Sequence, residues 1–235
     1  MITEILAPML AEYQLSLSDK QLGQLEKYAA LLREWNERMN LTAITDDAGI
    51  AEKHFLDSLT LLTAVDVPQG AALADVGTGA GFPGVVLAVA RPDIRLTLID
   101  SLGKRVNFLK ELTEELGIEA DCQHLRAEEA GRLPRLREGF DLVTARAVAA
   151  MPALTEYCLP LVKVGGVFAA MKGADAGEEL ASAARAIEEL GGGAPKCAVL
   201  KLPAAGMRTI ISVPKERETP AKYPRLAVKI AKQPI

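Results

Sequence analysis

Residues 75 to 84 read Asp-Val-Gly-Thr-Gly-Ala-Gly-Phe-Pro-Gly, four glycines and a proline between two apolar runs. Two patterns overlap there. Gly79, Gly81 and Gly84 spell the G-x-G-x-x-G of dinucleotide sites, while Asp75, Gly77, Gly79 and Gly81 spell D-x-G-x-G-x-G. Both describe a backbone stripped of side chains so that a nucleoside ligand can lie against it, where a strand feeds a helix. Asp75 discriminates between them. A carboxylate beside a pyrophosphate is repelled, whereas the ammonium and sulfonium of S-adenosylmethionine are attracted to it. The acid therefore favours the sulfonium cofactor over a nicotinamide oxidoreductase.

Further candidates follow the same logic of strand ends. Asp100 closes "LTLID" and suits bidentate hydrogen bonds to ribose hydroxyls; its alternative is a cap on the helix beginning near Leu102. Glu128, in "RAEE", stands where a loop meets an adenine, or else is a solvated acid. Arg146 and Lys172 end two later strands and are candidates for positioning substrate. Arg146 can serve a cofactor carboxylate, an RNA phosphate or the acceptors of a guanine, with a structural ion pair as its alternative. His54 and Asp57 are three apart on one helix face, a spacing that predicts a hydrogen bond between them. His124, inside a strand, reads as a core histidine. No His/Cys/Asp/Glu spacing suggests a metal, and Ser58 beside Asp57 has no nucleophile elbow.

These residues need a frame, and the hydrophobic pattern supplies one. The first 70 residues read as helical: Ser18 and Gln21 form a capping box, and Leu22, Leu25, Ala29, Leu32 and Trp35 recur at helical spacing. A second helix is expected over residues 48–65, with "NLTAI" as an extended link between the two. From residue 71 the pattern alternates strand and helix. Strands are expected at 71–77, 94–100, 118–125, 140–148 and 165–173, and helices at 84–92, 104–117, 153–162 and 176–192. This is the signature of an α/β, doubly wound, mostly parallel sheet. Residues 196–202 and 207–215 follow as two strands joined by a short turn, which places an antiparallel late strand in that sheet. The expected organisation is an N-terminal helical extension, 1–70, on a domain spanning 71–235, packed as one compact unit.

Of the 235 residues, 49% are hydrophobic and 25% charged, ordinary values for a globular chain. The three cysteines, Cys122, Cys158 and Cys197, are scattered and form no C-x-x-C pair. No apolar run is long enough to span a bilayer and the opening residues lack a basic segment, so a cytoplasmic location is expected. The net charge of −4 is unevenly spread: from Pro195 onward nine Lys/Arg oppose two Asp/Glu. That basic segment is either a polyanion contact or a solvated surface. Lys163, Lys215, Arg217, Lys222 and Arg225 are candidate phosphate contacts within the second half, with Tyr223 available to stack on a base.

In series, "NLTAI", "HFLDSL", "DVGTGAGFPG", "DSLGKRVNFL", "RAE" (126–128), "TARAV" (144–148) and "KYPR" (222–225) resemble the bacterial RsmG family, also called glucose-inhibited division protein B. The resemblance runs in unbroken order over most of the chain. It implies a class I (Rossmann-like) methyltransferase that transfers a methyl group from S-adenosylmethionine to N7 of one guanine in 16S rRNA of the small ribosomal subunit. By position it implies that Gly77, Phe82, Ala127, Glu128 and Arg146 contact the cofactor, and that His54 and Asp57 lie near the cleft. Guanine N7 has an in-plane lone pair and no proton, so this reaction needs orientation but no catalytic base. The sequence lacks the tetrad used for amine methylation and the Pro-Cys nucleophile used at cytosine C5. A monomer acting on 16S rRNA or the small subunit is expected, and a non-enzymatic ribosome binder is the alternative.

Overall fold

A computed structural model of the chain describes residues 1–174 and 176–235. Seven strands form one sheet: β1 (Ala72–Val76), β2 (Arg95–Asp100), β3 (Ala120–His124), β4 (Phe140–Arg146), β5 (Val162–Lys172), β6 (Lys196–Leu202) and β7 (Gly206–Pro214). Their order is β3-β2-β1-β4-β5-β7-β6, with the first five parallel and β7 antiparallel to both β5 and β6. Chain order reverses between β1 and β4, which opens a crevice beyond the carboxyl ends of those two strands. β1 is buried along its whole length and consists of small and branched residues, as a central parallel strand requires.

Helices cover both faces. On one, the extension joins the helices Gly84–Ala90 and Gly103–Leu116, and Ile2, Leu6, Leu25, Tyr28 and Phe55 share a core with Leu73, Val85, Leu98 and Leu112. On the other, the helix Met151–Cys158 and the pair Gly177–Ser182 and Ala184–Glu189 pack on Val143, Phe168 and Ile211. The extension includes a helix, Ile2–Glu12, ahead of the long one at Asp19–Met39, whose capping box forms between Ser18 and Gln21. A left-handed Asn40 ends that helix.

Three local departures from the sequence pattern matter. Residues 47–64 are not one α-helix, because Ile50–Leu56 is π-helical. β5 begins at Val162, and the helix before it ends at Cys158 in a short 3-10 turn. His124 lies exposed on the edge strand β3, its Nε2 3.1 Å from the Ser101 carbonyl, so it is not a core histidine. An edge strand lacks the cover that its hydrophobic neighbours suggested.

Candidate active site

The glycine loop leaves β1 at the crevice. Gly77 (φ +66°) and Gly81 (φ +96°) adopt backbone conformations that side chains disfavour, and both are also sterically closed. A Cβ on Gly77 would lie 2.6 Å from Val148 Cγ2, and one on Gly81 would lie 2.6 Å from the Tyr28 hydroxyl. The Gly77 amide donates to the Ile99 carbonyl at 2.8 Å, which ties the loop to the end of β2.

Asp75 lies beneath this loop, fully buried. Its Oδ2 accepts from the Thr78 hydroxyl (2.6 Å) and from the Gly84 amide (2.8 Å), so it closes the loop on itself. Its Oδ1 has no hydrogen-bond partner. Burial pushes the carboxyl up to about 6, against the pull of the two hydrogen bonds and of Arg146. Asp100 is likewise buried and is a brace: Oδ2 accepts from the Gly79 amide (3.0 Å) and Oδ1 from the Leu102 amide (2.9 Å), just ahead of the helix Gly103–Leu116. Arg105 stands 3.6 Å away. Glu128 is buried and accepts from Arg126 Nε at 2.7 Å, so it is not a solvated acid; Ala127 begins the short helix that carries it.

Phe82 is the middle ring of an aromatic stack. Tyr28 lies on one side, 5.1 Å away at 9°, and His54 on the other, 4.4 Å away at 15°. The Tyr28 hydroxyl donates to the Ala80 carbonyl at 2.5 Å, fixing the loop from outside. Burial, followed by the field of Arg146, lowers His54 to about 4, so it is neutral at physiological pH. Its Nε2 meets the Thr42 hydroxyl at 2.9 Å.

Arg146, at the carboxyl end of β4, sits 5.1 Å from the Phe82 centroid and donates to the Lys53 carbonyl (3.0 Å) and Asp57 Oδ2 (2.8 Å). Arg208, at the start of β7, approaches the other oxygen of Asp57 at 3.4 Å. The expected His54–Asp57 hydrogen bond is replaced by these arginine contacts. His54 belongs to the π-helical turn, and three-residue facing is a property of the α-helix. Arg146 Nη2 is 3.5 Å from His54 Nδ1 instead. Lys172 donates to the Ala149 carbonyl (2.8 Å) and to Glu179 Oε2 (2.6 Å), so its ammonium is engaged within the protein.

Of the candidate phosphate contacts near the C-terminus, Lys215 and Arg225 are engaged within the fold, while Arg217 and Lys222 make surface contacts. Lys215 is fully buried, donating to the Leu159 carbonyl and the Thr219 hydroxyl with Glu138 at 3.2 Å. Burial lowers its ammonium to about 8. Arg225 grips the buried Glu156, Arg217 donates to the Glu188 carbonyl, and Lys222 and Tyr223 both meet Glu189. Tyr223 is buried and presents no ring for stacking. Lys163 pairs with Asp141 at the amino end of β5, the opposite edge of the sheet from the glycine loop.

Sequence spacing gave no warning of Tyr28, Val148, Glu179 or Arg208. Tyr28 falls in the apolar stripe of its helix and reads as packing. The other three acquire partners only when distant segments meet. A cleft of about 1020 Å³ opens beside Ala72, Arg95, Ala120 and Phe140. These are the amino ends of four strands, so it lies across the sheet from the crevice where open α/β sheets bind ligands.

The residues at the crevice fit S-adenosylmethionine. A buried carboxylate oxygen without a donor suits its ammonium, and the missing Cβ of Gly79 points where nothing but the Gly77 carbonyl, at 4.0 Å, is near. Sheet order, glycine loop and buried acid together define a class I, Rossmann-like methyltransferase fold. The architecture is shared with a SAM-dependent methyltransferase from Aquifex aeolicus (TM-score 0.51, 15% identity, covering 79% of this chain and 97% of that one). It is also shared with a SAM-dependent O-methyltransferase from Thermotoga maritima (TM-score 0.52, 16% identity, 80% and 72% covered). At those identities the likeness is one of fold. The chain belongs to the GidB family, rRNA small subunit methyltransferase G, whose profile matches residues 21–203. It is 50% identical over 228 residues to the ribosomal RNA small subunit methyltransferase G of Exiguobacterium sibiricum, covering 96% of each chain. It is 50% identical to the protein of that name from Geobacillus thermodenitrificans, over 97% of this chain and 96% of the other.

Proposed function

We propose that this chain transfers a methyl group from S-adenosylmethionine to N7 of one guanine in 16S rRNA, acting as a cytoplasmic monomer on the small ribosomal subunit or its free RNA. The observation that carries the cofactor is the orphaned Oδ1 of Asp75 beneath a glycine loop in a chain of this family. The RNA and the guanine rest on family membership.

When bound, S-adenosylmethionine supplies a methyl group on a positively charged sulfur. Asp75 would hold the ammonium of its amino-acid end, and Gly77 and Gly79 leave the backbone bare beside it. Asp100, which braces the loop, would hold the ribose, and Ala127 and Glu128 would border the adenine. Phe82, held between Tyr28 and His54, supports the loop from behind. Arg146 positions cofactor or base from the end of β4. No side chain has to remove a proton, since N7 presents its lone pair directly. Orientation and water exclusion are the protein's contribution. Extrusion of the guanine from any stack brings N7 to the crevice.

The test is methyl transfer from labelled S-adenosylmethionine to small subunits and free 16S RNA from cells lacking the gene, followed by chain cleavage selective for 7-methylguanine. Label at one guanine is the expected result; label elsewhere, or none despite cofactor binding, overturns the proposal. Arg146→Ala is expected to lose turnover. It also strips Asp57 of its closer cation but leaves it Arg208 at 3.4 Å, so the stability cost is that of one charged hydrogen bond, about 1.5–3 kcal/mol. Near-normal turnover in that variant removes Arg146 from the site.

A further inference from the structure

The segment between β4 and the helix Met151–Cys158 is held from an unexpected direction. It starts at Ala147, whose φ of +58° is a left-handed conformation that alanine rarely adopts. Such a conformation persists where its surroundings over-determine it, and such sites cluster where function needs pre-organisation. Here the surroundings are specific. Lys172 Nζ donates to the Ala149 carbonyl at 2.8 Å and to Glu179 Oε2 at 2.6 Å. The same Glu179 oxygen accepts the Met151 amide at 3.2 Å. The end of the loop and the first amide of the following helix therefore converge on one lysine–carboxylate pair. Immediately ahead of these anchors, Val148 rests on Gly77, its Cγ2 occupying the space a Cβ would need. Val148 is still 37% exposed, so it touches the glycine loop on one side and offers apolar surface on the other.

An isolated surface ion pair contributes little. This one differs because Lys172 is only 13% exposed and because the pair satisfies a loop carbonyl and an otherwise orphaned helix-terminal amide. We infer that Glu179 and Lys172 are positioning residues: they pin the loop at Ala149 and Met151 and so press Val148 onto Gly77, making Val148 the apolar wall shared by the cofactor loop and the incoming purine. Glu179 approaches from the helix Gly177–Ser182, on the opposite face of the sheet from the extension. The crevice is thus set from both sides, by Tyr28 and His54 on one and by Glu179 on the other.

The inference rests on the proposed reaction, but its first two tests need no RNA. Amide hydrogen exchange is measured on the full chain without ligand, cofactor affinity is measured by calorimetry, and KM for RNA and kcat are then determined separately. In Glu179→Ala, the Met151 amide, which loses its acceptor, is expected to exchange about tenfold faster while the amides of β1 and β4 keep their rates. Cofactor affinity falls several-fold and kcat falls by about tenfold, because Val148 no longer holds its height. Glu179→Gln retains an acceptor oxygen and recovers most of both, which loss of a distant surface charge would not predict. Unchanged exchange at Met151 overturns the inference. So does a uniform rise across the sheet, which is global loosening, and so does a local rise with unaltered cofactor affinity and kcat. Should native protein methylate no RNA, the exchange and binding results still decide whether the clamp exists.

Discussion

Asp75 combines complete burial with one carboxylate oxygen that has no donor, and burial raises its pKa. In the folded chain the carboxyl keeps its proton to about pH 6, against a reference value of 3.8. Between those values the native state binds more protons than the unfolded one, so stability falls as pH rises through that window. Asp75→Asn removes the penalty. It is expected to melt higher than the native chain at pH 8, by at most about 3 kcal/mol, and no higher at pH 4. Equal destabilisation at both pH values would show that the charge is not costly. Affinity for the cofactor runs the other way. In the proposed site the ammonium meets the ionised acid, so native affinity is expected to weaken below pH 6 by up to about tenfold per unit, and Asp75→Asn to flatten that dependence. Calorimetric titrations between pH 5 and 8 read the slope directly. The position of Asp75, an acid at the end of a strand ahead of a glycine loop, was legible in the sequence. The duty the structure shows, closing the loop through Thr78 and Gly84, was not, since that depends on how the turn folds.

At the scale of elements, regular burial was legible and irregular burial was not. The five parallel strands follow from short apolar runs bounded by turn residues, and the late hairpin from two strands too close together to hold a helix. The π-helical turn at Ile50–Leu56 leaves no mark in composition, yet it sets which neighbours His54 and Asp57 meet. Long-range partners were equally hidden: Glu52 accepts from the amides of Ala204 and Ala205, fastening the β6–β7 turn to the extension. Tyr28 shows what such cross-links do. Tyr28→Phe keeps the stack on Phe82 and removes only the hydroxyl that holds Ala80. The expected cost is about 1–2 kcal/mol, from a buried carbonyl left without its donor. Cofactor affinity is expected to fall with it, because the loosened segment is the glycine loop itself. Chemical denaturation and calorimetry on one preparation separate the two effects. A drop in stability with unchanged cofactor affinity would reduce Tyr28 to packing.

Charge distribution is a property of the whole molecule, and sequence order shows only part of it. Within the basic C-terminal stretch Arg225 meets Glu156, Lys215 lies near Glu138 and Lys222 meets Glu189, while Lys196, Lys201, Lys229 and Lys232 are exposed. Counting charge along the chain cannot show this, because those acids lie 33 to 77 residues away. Lys53 stands out in three dimensions instead: it is the one exposed residue between Gly49 and Leu61, and its own carbonyl holds Arg146. Lys222→Gln is accordingly expected to leave KM for RNA and its salt dependence unaltered. Lys53→Gln is expected to raise KM and to lower the slope of log affinity against log salt by about one. Equal effects from both substitutions would return the C-terminal face to the RNA path.

The division of the chain into an extension and a sheet domain raises the last question at this scale. Ile2, Leu6 and Leu10 are buried in the same core as Leu73 and Leu98, and the Tyr28 hydroxyl bonds to the glycine loop. A segment that supplies both core and site cannot detach cheaply. Trp35, the sole tryptophan, lies on this boundary: its ring is 5.6 Å from Phe108 and its indole N–H donates to Glu111 at 2.9 Å. Its fluorescence therefore reports separation of the extension, while far-ultraviolet circular dichroism reports the helices and sheet together. Urea titration is expected to give coincident midpoints for the two probes, the mark of one cooperative unit. Leu6→Ala is expected to shift both midpoints together, at a cost of about 2–5 kcal/mol, despite lying far from the sheet in sequence. Fluorescence that moves at lower urea than the dichroism, with Leu6→Ala shifting the first transition alone, would mean that the extension docks onto a domain already folded. The stack on Phe82 would then form only after that docking, and the glycine loop would be held from one side alone until it did.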